Sequence, residues 1–200
     1  MTTLYLIRHA ETQFNRDGII QGWSDAPLTS EGEKAVKKLA TAIRGKFDVI
    51  YSSSSMRAIK TALFLCEDTV ISEIQTKPEL KEIHLKPWEG KKINEIKDFQ
   101  FPSDYNTYKN MPQRFKPISG ENLIDAQKRI VLAVKKILAE NKNRIIVIIS
   151  HGGVISALLN YYNGANICDI WKNDIKPASL SELFFDGDSF VKFGMIGENF

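Results

Sequence analysis

The stretch Leu4-Tyr5-Leu6-Ile7 is a short apolar run that ends in Arg8-His9, and Ile145-Ile146-Val147-Ile148-Ile149 ends in the same way in Ser150-His151. Apolar runs of this length, bounded by polar residues, are typical of buried strands in a parallel sheet. In such sheets the functional side chains lie at the carboxyl ends of the strands. If these two strands are neighbours, the two imidazoles face each other across one pocket.

Strand-like and helix-like patterns alternate along the rest of the chain. Apolar residues recur at helical spacing from Val36 to Phe47, with Thr29 or Ser30 as the cap, and Ser30 with Glu33 fits a capping box. This alternation predicts an α/β fold, a three-layer sandwich whose mostly parallel central sheet carries helices on both faces. A final hairpin allows an antiparallel edge. The predicted strands are residues 3–8, 48–51, 145–149, 180–185 and 189–193, and further helices are predicted after residues 52–55 and over 121–141 and 153–162.

Residues 98–119 interrupt this pattern within what otherwise reads as a single domain, residues 1–200. They hold three of the seven prolines and have neither helical nor strand periodicity. A long segment without regular structure in a compact domain is often a functional lid, so we expect a lid-like insertion here. The aromatic residues and cations in or beside it are Phe99, Phe101, Tyr105, Tyr108 and Phe115, with Lys97, Lys109, Arg114 and Lys116.

The composition is that of an ordinary globular chain and argues against several classes of protein. A net charge of +3, from 27 Lys and Arg against 24 Asp and Glu, is too small to indicate a nucleic-acid partner. The longest apolar run has about five residues, which is too short to span a membrane. No secretory signal is apparent, and Cys66 and Cys168 lie outside any motif. We therefore expect free thiols and a cytoplasmic protein.

Cationic side chains follow the strand ends or open helices. Arg8, Arg57, His9 and His151 would bring two guanidiniums and two imidazoles into one volume, and a guanidinium suits bidentate binding of phosphate oxygens. Gly152-Gly153 opens a helix whose first N–H groups can add to such an anion site. We therefore predict a pocket for a small phosphorylated metabolite or another phosphomonoester, built with no metal and no cofactor.

A neutral imidazole in this pocket could attack phosphorus and form a covalent phosphohistidine. The departing alkoxide then needs a proton from a general acid. Glu82 is the carboxyl best placed to supply that proton, although Glu79 and Glu89 are close to it in sequence. Water activated by the same carboxylate would discharge the intermediate.

The remaining candidates lie in loops, where selectivity is usually found. Gln21 and Gly22 belong to a polar loop over the tip of the first strand and are candidate substrate-binding residues. Trp23 in the same loop is expected to face the substrate. Trp88 fits a core position and a pocket rim equally well, whereas His84 is interpreted as a structural or surface residue.

Four motifs occur in the order typical of one family. They are Arg8-His9-Ala10-Glu11-Thr12, then Gln21-Gly22 with Asp25-x-Pro27-Leu28-Thr29-x-x-Gly32, then Ser52-Ser53 with Met56-Arg57-Ala58-x-x-Thr61-Ala62, then Ser150-His151-Gly152-Gly153. The chain resembles the histidine phosphatase superfamily, in its phosphoglycerate-mutase-like branch, over nearly its whole length. Ala10 stands where the mutases typically have glycine. In this respect the chain is similar to the phosphatase-type members, such as broad-specificity and α-ribazole phosphatases.

The resemblance implies that His9 is the nucleophile and that Glu82 is the proton donor. Two departures from the family pattern concern the surroundings of Glu82. Lys86, beside Pro87, stands where the family usually has glycine, which leaves the reach of Glu82 into the pocket open. Asn122 stands where serine is usual. The residues that would hold the phosphoryl group are Arg8, Asn15, Arg57, His151 and Gly152.

Three functions are compatible with these residues. We favour a phosphomonoester hydrolase. A cofactor-dependent phosphoglycerate mutase shares the phosphohistidine but returns the phosphoryl group to a bound sugar acid, and dedicated mutases of this family are longer and close an extra insertion over the substrate. A non-catalytic phospho-ligand binding module is the third, because a fold does not determine function. The sequence leaves the physiological substrate and the oligomeric state open.

Overall fold

The two apolar runs that end in histidine form neighbouring strands at the centre of the sheet. The computed structural model describes residues 1–67, 69–71, 73–96, 100 and 103–200. In it β1 (Thr2–Arg8) runs parallel to β4 (Ile145–Ser150), and the register pairs Arg8 with Ser150. The main-chain N–H of His9 donates to the Ser150 carbonyl at 2.9 Å and extends the pairing by one residue. Both histidines therefore follow strands that end at the same level.

Four further strands continue the sheet on the two sides of this central pair. They are β2 (Val49–Ser53), β3 (Ile74–Lys77), β5 (Leu180–Asp186) and β6 (Ser189–Phe193). The strand order is β3-β2-β4-β1-β5-β6. The first four strands are parallel, whereas β5 pairs antiparallel with β1 and β6 antiparallel with β5. The predicted mostly parallel sheet with an antiparallel hairpin at its edge is confirmed.

Helices cover both faces of the sheet. They are α1 (Gln13–Arg16), α2 (Ser30–Ile43), α3 (Met56–Cys66), α4 (Tyr105–Asn110), α5 (Leu123–Glu140) and α6 (Gly152–Tyr162). Short 3₁₀ turns occupy Pro78–Leu80, Ile93–Glu95, Pro112–Arg114 and Ile167–Lys172. Within the described ranges, no helix combines the length and the apolar character that crossing a bilayer would require.

The core is divided between the two faces by the alternation of side chains along the strands. Leu4 and Leu6 of β1 point to the face covered by α5 and α6, whereas Ile7 belongs to the cluster beneath α2 and α3. Ile148 and Ile149 of β4 divide in the same way. This period of two is what a strand covered on both faces produces, and it confirms the predicted three-layer sandwich.

The N-terminus of α2 is capped by Thr29. Its Oγ1 accepts the Gly32 N–H at 3.0 Å and donates to Glu11 Oε1 at 2.6 Å. The capping box expected from Ser30 and Glu33 is wrong, because Ser30 is already the first helical residue and position N3 is a glycine with no side chain to reciprocate. A Cβ on Gly32 would collide with the Glu11 backbone oxygen. The glycine therefore allows α2 to start directly against the loop that follows His9.

Replacing Gly32 with alanine is expected to lower the free energy of unfolding by about 2 kcal/mol. Overpacking against rigid backbone costs about 1–3 kcal/mol, and the better helix propensity of alanine offsets about 1 kcal/mol at most. Urea unfolding followed by circular dichroism measures the change. Ser30→Ala, at an exposed position of the same turn, is the matched control and should differ from wild type by about 0.5 kcal/mol or less. Equal stability of Gly32→Ala and this control would contradict the packing argument.

The described part of residues 98–119 is more regular than the sequence indicated. It contains the helix α4, which Asp104 caps by accepting the Thr107 N–H at 2.8 Å, and a 3₁₀ turn. Six residues are too few for an amphipathic repeat, which is why periodicity could not reveal this helix. Trp88 is buried against Tyr105, Tyr108 and Phe115, so it is a core residue. The expected contributions of Lys97, Phe99 and Phe101 lie outside the described residues.

Candidate active site

His9 and His151 face each other where β1 and β4 end. Their ring centroids are 5.2 Å apart, and both side chains are buried. The extended backbone of β1 leads directly into His9, while His151 forms the cap residue of α6. The structure therefore brings the two imidazoles together, as the sequence predicted.

The tautomer of His9 is fixed by the main chain. Its Nδ1 lies 2.8 Å from the Ala10 carbonyl oxygen, and a carbonyl only accepts hydrogen bonds, so Nδ1 carries the proton and Nε2 keeps its lone pair. Burial, followed by the positive charges of Arg57 and Arg8, holds the pKa of His9 well below its ordinary value of 6.5. A neutral ring with a free Nε2 lone pair is the form that attacks an electrophile.

His151 is held on its other side by β2. Its Nε2 lies 2.8 Å from Ser53 Oγ, and when that hydroxyl donates, the proton of the ring resides on Nδ1. Burial, and then the charges of Arg57, His9 and Arg8, lower the pKa of His151 well below 6.5. His151 is therefore neutral, and in the tautomer with its proton on Nδ1 it offers an N–H donor beside the His9 ring.

Arg8 closes the same pocket from the last position of β1. Its Nη1 donates to the Ile175 carbonyl at 2.6 Å. A Cβ on Gly152 would lie 3.3 Å from three atoms of this guanidinium, so the glycine allows the Arg8 side chain to lie against the start of α6. Burial is the main cause that lowers the pKa of Arg8, with Glu82 opposing it.

Arg57 lies in the first turn of α3 and is almost fully buried. Its Nη1 donates to the Ser24 carbonyl and to Asp25 Oδ1, both at 2.7 Å. Its Nη2 donates to the Gly22 carbonyl at 2.7 Å. Arg57 therefore does two things at once, because it lines the cavity and also holds residues 22–25 in place.

Three buried nitrogens of these residues have no hydrogen-bond partner within the described chain. They are Nε of Arg8, Nε of Arg57 and Nδ1 of His151. A buried donor without an acceptor costs about 1–3 kcal/mol, and two of these three nitrogens belong to positively charged guanidinium groups. A tetrahedral oxyanion such as a phosphoryl group has enough oxygens to accept a hydrogen bond from each of the three nitrogens.

Asn15 and the loop at Gln21 complete the rim of this anion site. Asn15 Oδ1 accepts from the Thr12 N–H at 3.1 Å and from its Oγ1 at 3.0 Å, which leaves the amide NH₂ as the group available to a ligand. Asn15, Gln21 and Gly22 all line the cavity. The structure thus brings every predicted phosphate-binding residue to one place, although His151 lies just behind the lining.

Glu82 reaches the cavity despite the departure at Lys86 and Pro87. Its Oε2 accepts the Gly153 N–H at 3.0 Å, and its Oε1 accepts the N–H groups of Val154 at 3.2 Å and Ile83 at 2.9 Å. A Cβ on Gly153 would lie 2.7 Å from Oε1, so only glycine leaves room for this approach. The carboxyl group therefore lies at the N-terminus of α6 and lines the same cavity as His9.

The other two acidic candidates have different positions. Glu89 is buried and accepts the N–H groups of Trp23 at 2.9 Å and Leu85 at 3.0 Å. Glu79 is exposed, and its carbonyl accepts from Arg129. Neither lines the cavity, so the preference for Glu82 over Glu79 and Glu89 agrees with the geometry.

Comparison with known proteins identifies the family. The family model described as histidine phosphatase superfamily (branch 1) matches residues 4–194. The chain belongs to the histidine phosphatase superfamily. This confirms the predicted family, and with it the predicted type of enzyme at the level of the family.

Three similar proteins illustrate the relationship. Putative phosphoserine phosphatase 2 of Hydrogenobacter thermophilus is 28% identical over 94% of this chain and 92% of its own. Adenosylcobalamin/alpha-ribazole phosphatase of Escherichia coli is 31% identical over 78% of this chain and 76% of its own. The solved structure of Bacillus stearothermophilus YhfR superposes with a TM-score of 0.92 at 30% identity and covers 99% of this chain and 98% of that chain.

The outer wall of this histidine phosphatase site was only partly visible in the sequence. The cavity measures about 340 Å³. Tyr105, Tyr108 and Lys109 come from the 98–119 segment already noted for its aromatic residues and cations, and burial lowers the pKa of Lys109. The adjoining part of the wall contains Trp171, which contacts Tyr108. The apolar pair Ile170-Trp171 in a polar stretch was the one feature of the sequence that could have indicated it, and this pair belongs to no motif. The lining residues that sequence reasoning did not assign to the pocket are Ile19, Ile20, Leu85, Ser156, Trp171, Asn173, Asp174 and Ile175.

Trp23 does not occupy the substrate-facing position that we expected. Its indole ring stacks on His84 with centroids 4.2 Å apart, and the Lys81 ammonium lies 4.4 Å from the ring centroid. The residue is outside the cavity lining. His84 is half-buried in this stack, as expected for a structural residue.

The two buried imidazoles predict a specific pH dependence of stability. Their folded-state pKa values lie below the unfolded value near 6.5, so the unfolded chain binds more protons as the pH falls. The free energy of unfolding should therefore keep its full value above pH 6.5 and decrease as the pH falls from 6.5 toward 5. Urea unfolding at pH 8, 6.5 and 5 measures this slope. His9→Gln should have a shallower slope, and an identical slope would contradict the assignment.

Proposed function

We propose that this histidine phosphatase is a metal-independent phosphomonoester hydrolase that acts through a phosphohistidine on His9. One observation supports this most strongly. A neutral imidazole with its Nε2 lone pair free lies beside two guanidiniums and a second imidazole that have buried nitrogens without partners. Among the described residues no group of three or more His, Cys, Asp or Glu is placed to hold a metal ion.

Binding places the phosphoryl group among the unpartnered donors. Arg8, Arg57 and His151 would each donate to its non-bridging oxygens, with the Gly152 N–H at the start of α6 beside them. These donors neutralise the charge that builds up on the oxygens during transfer. They are already fixed by Ile175, by residues 22–25 and by Ser53, so little reorganisation is needed.

Transfer begins when His9 Nε2 attacks phosphorus and the bond to the leaving oxygen breaks. Glu82 acts as the general acid and gives a proton to that oxygen. Water then attacks the phosphohistidine, the Glu82 carboxylate takes its proton, and inorganic phosphate leaves while His9 regains its lone pair. Atoms and charges balance over the two steps.

The cations that line the cavity and its volume favour hydrolysis over the mutase reaction. Of the four cations in or beside the predicted lid, only Lys109 lines the cavity among the described residues, since Arg114 and Lys116 lie outside the lining and Lys97 is not described. A mutase must hold an anionic sugar acid through both halves of its cycle. A volume of about 340 Å³ lies at the small end of ligand sites, and relatives are named for phosphoserine and α-ribazole phosphate hydrolysis. We propose a small phosphorylated metabolite as substrate.

The test compares hydrolysis with phosphoryl transfer in one preparation. Release of phosphate from p-nitrophenyl phosphate, phosphoserine and 3-phosphoglycerate is measured beside phosphoglycerate mutase activity, each with and without EDTA. Hydrolysis unaffected by EDTA and faster than mutase turnover is the expected result. A zinc-dependent phosphatase serves as the EDTA control. Mutase turnover faster than hydrolysis, or loss of activity in EDTA, would overturn the proposal, and tight phosphate binding without turnover would favour a binding module.

Two further expectations remain part of the proposal. Residues 1–200 would form a single domain in which residues 98–119 act as a lid. Residence in the cytoplasm remains a prediction from composition and from free Cys66 and Cys168.

A further inference from the structure

The loop of residues 22–25 connects two groups that the proposed reaction needs. On one side Arg57 donates to the carbonyls of Gly22 and Ser24 and to the Asp25 carboxylate, each at 2.7 Å. Asp25 Oδ2 also accepts the N–H of Met56 at 2.9 Å at the start of α3. The position of this loop is therefore tied to the phosphoryl-binding guanidinium.

On its other side the same loop is tied to the segment that carries Glu82. The buried carboxylate of Glu89 accepts the N–H of Trp23 at 2.9 Å, the hydroxyl of Ser24 at 3.3 Å and the N–H of Leu85 at 3.0 Å. Gly22 adopts a φ of +51°, and a Cβ there would collide with Glu89 Oε1. Close contact of Glu89 with the loop therefore depends on a glycine at position 22.

The side chain of Trp23 completes the connection. Its indole Nε1–H donates to the main-chain carbonyl of Glu82 at 2.9 Å. His84 covers one face of the ring, and Lys81 lies over it at 4.4 Å. The side chain of Trp23 is 41% exposed, and among the described residues the hydrogen bond that its ring donates goes to Glu82. Arg129 Nη2 reaches the same carbonyl at a longer 3.3 Å.

We propose that Trp23 is a positioning residue for proton transfer to the leaving group, acting through Glu82. This inference rests on the proposed function, in which Glu82 is the proton donor. Trp23 fixes the main chain of Glu82 relative to the loop that Arg57 holds, so the carboxyl group and the phosphoryl site keep a constant separation. A shift of about 1 Å in such a group can cost about 10²-fold in rate.

The acidity of the leaving group separates this role from a general structural one. A p-nitrophenolate ion leaves without a proton, whereas the alkoxide of an alkyl phosphate needs one. A residue that positions the proton donor therefore affects kcat/KM for alkyl phosphates more than for p-nitrophenyl phosphate. A residue that only supports the fold or the anion site affects both substrates equally.

The experiment measures kcat/KM for p-nitrophenyl phosphate, phenyl phosphate and phosphoserine in four proteins. These are wild type, Trp23→Phe, Glu82→Gln and the control Tyr51→Phe, in which an aromatic residue outside the cavity lining loses its hydroxyl, the acceptor of a hydrogen bond from Asn141 Nδ2. Trp23→Phe keeps an aromatic ring beside Lys81 and His84 and removes the Nε1–H. Melting temperatures and circular dichroism confirm that each protein is folded.

In Trp23→Phe we expect the ratio of kcat/KM for phosphoserine to that for p-nitrophenyl phosphate to fall about 5- to 10-fold. Glu82→Gln should lower that ratio further, and Tyr51→Phe should not lower it by more than about twofold. An unchanged ratio in a folded Trp23→Phe protein would overturn the inference while leaving the proposed function intact. An unchanged ratio in Glu82→Gln would remove Glu82 as proton donor, and this inference with it. Hydrolysis that survives replacement of His9 would overturn the proposed function itself.

Discussion

Replacing His9 with alanine is expected to lower kcat/KM by about 10⁴-fold or more, because the atom that bonds to phosphorus is lost. Removal of a covalent nucleophile has effects of this order or larger in other enzymes. The substitution leaves the oxyanion donors in place, so phosphate should still bind. Steady-state hydrolysis of p-nitrophenyl phosphate and isothermal titration with inorganic phosphate measure the two quantities separately.

A covalent label distinguishes the nucleophile from its neighbour. Rapid quenching with ³²P-labelled substrate should leave an acid-labile phosphoryl group on wild type and none on His9→Ala. The matched variant is His151→Asn, which should lower kcat/KM by about 10²- to 10³-fold while labelling still occurs. Label on His9→Ala protein, or its loss only in His151→Asn, would exchange the roles of the two histidines.

Replacing Arg57 with methionine is expected to lower both activity and stability. The variant removes a donor from the phosphoryl site, which costs about 10²- to 10³-fold in kcat/KM. It also leaves the carbonyls of Gly22 and Ser24 and the Asp25 carboxylate without their common donor. Breaking a buried ion pair by removing one partner costs about 3–5 kcal/mol, and we expect about 3 kcal/mol because Asp25 is partly exposed. Enzyme kinetics and urea unfolding measure the two effects.

Arg57→Lys is the informative control for this variant. It keeps the charge but cannot reach three acceptors in the geometry of a planar fork, so it should recover part of the stability and little of the activity. A fully stable Arg57→Met protein would contradict the role assigned to the guanidinium in holding residues 22–25.

The predictable residues of the site are those whose positions follow from the local sequence and from the geometry of a parallel sheet. Two apolar runs that end in histidine predicted that His9 and His151 lie close together, because parallel strands bring their carboxyl ends to one edge of the sheet. The N-terminus of α6 was predictable from Gly152-Gly153. The preference for Glu82 came from the resemblance to the family, which places a carboxylate before this segment, and Lys86 was the departure that left its reach open.

The remaining parts required the three-dimensional structure because they depend on contacts between distant segments. The outer wall joins α4 to the 3₁₀ turn Ile167–Lys172 through a hydrogen bond from Trp171 Nε1 to the Tyr108 carbonyl at 3.0 Å. No periodic pattern marks either element, because both have only six residues. Trp23 and Glu89 are likewise separated by 66 positions, and neither residue type alone indicates their hydrogen bond.

The hydrogen bond between His9 Nδ1 and the Ala10 carbonyl has a consequence for how this site tolerates mutation. The acceptor is a peptide oxygen, which is present whatever side chain stands at position 10. Substitutions around the ring can alter its charge or its exposure, yet none of them deletes the atom that selects Nε2 as the reacting nitrogen. In the proposed reaction, the path of the main chain at the end of β1 thus determines which nitrogen attacks phosphorus. Sequence changes at the outer wall could then alter the substrate without changing that nitrogen.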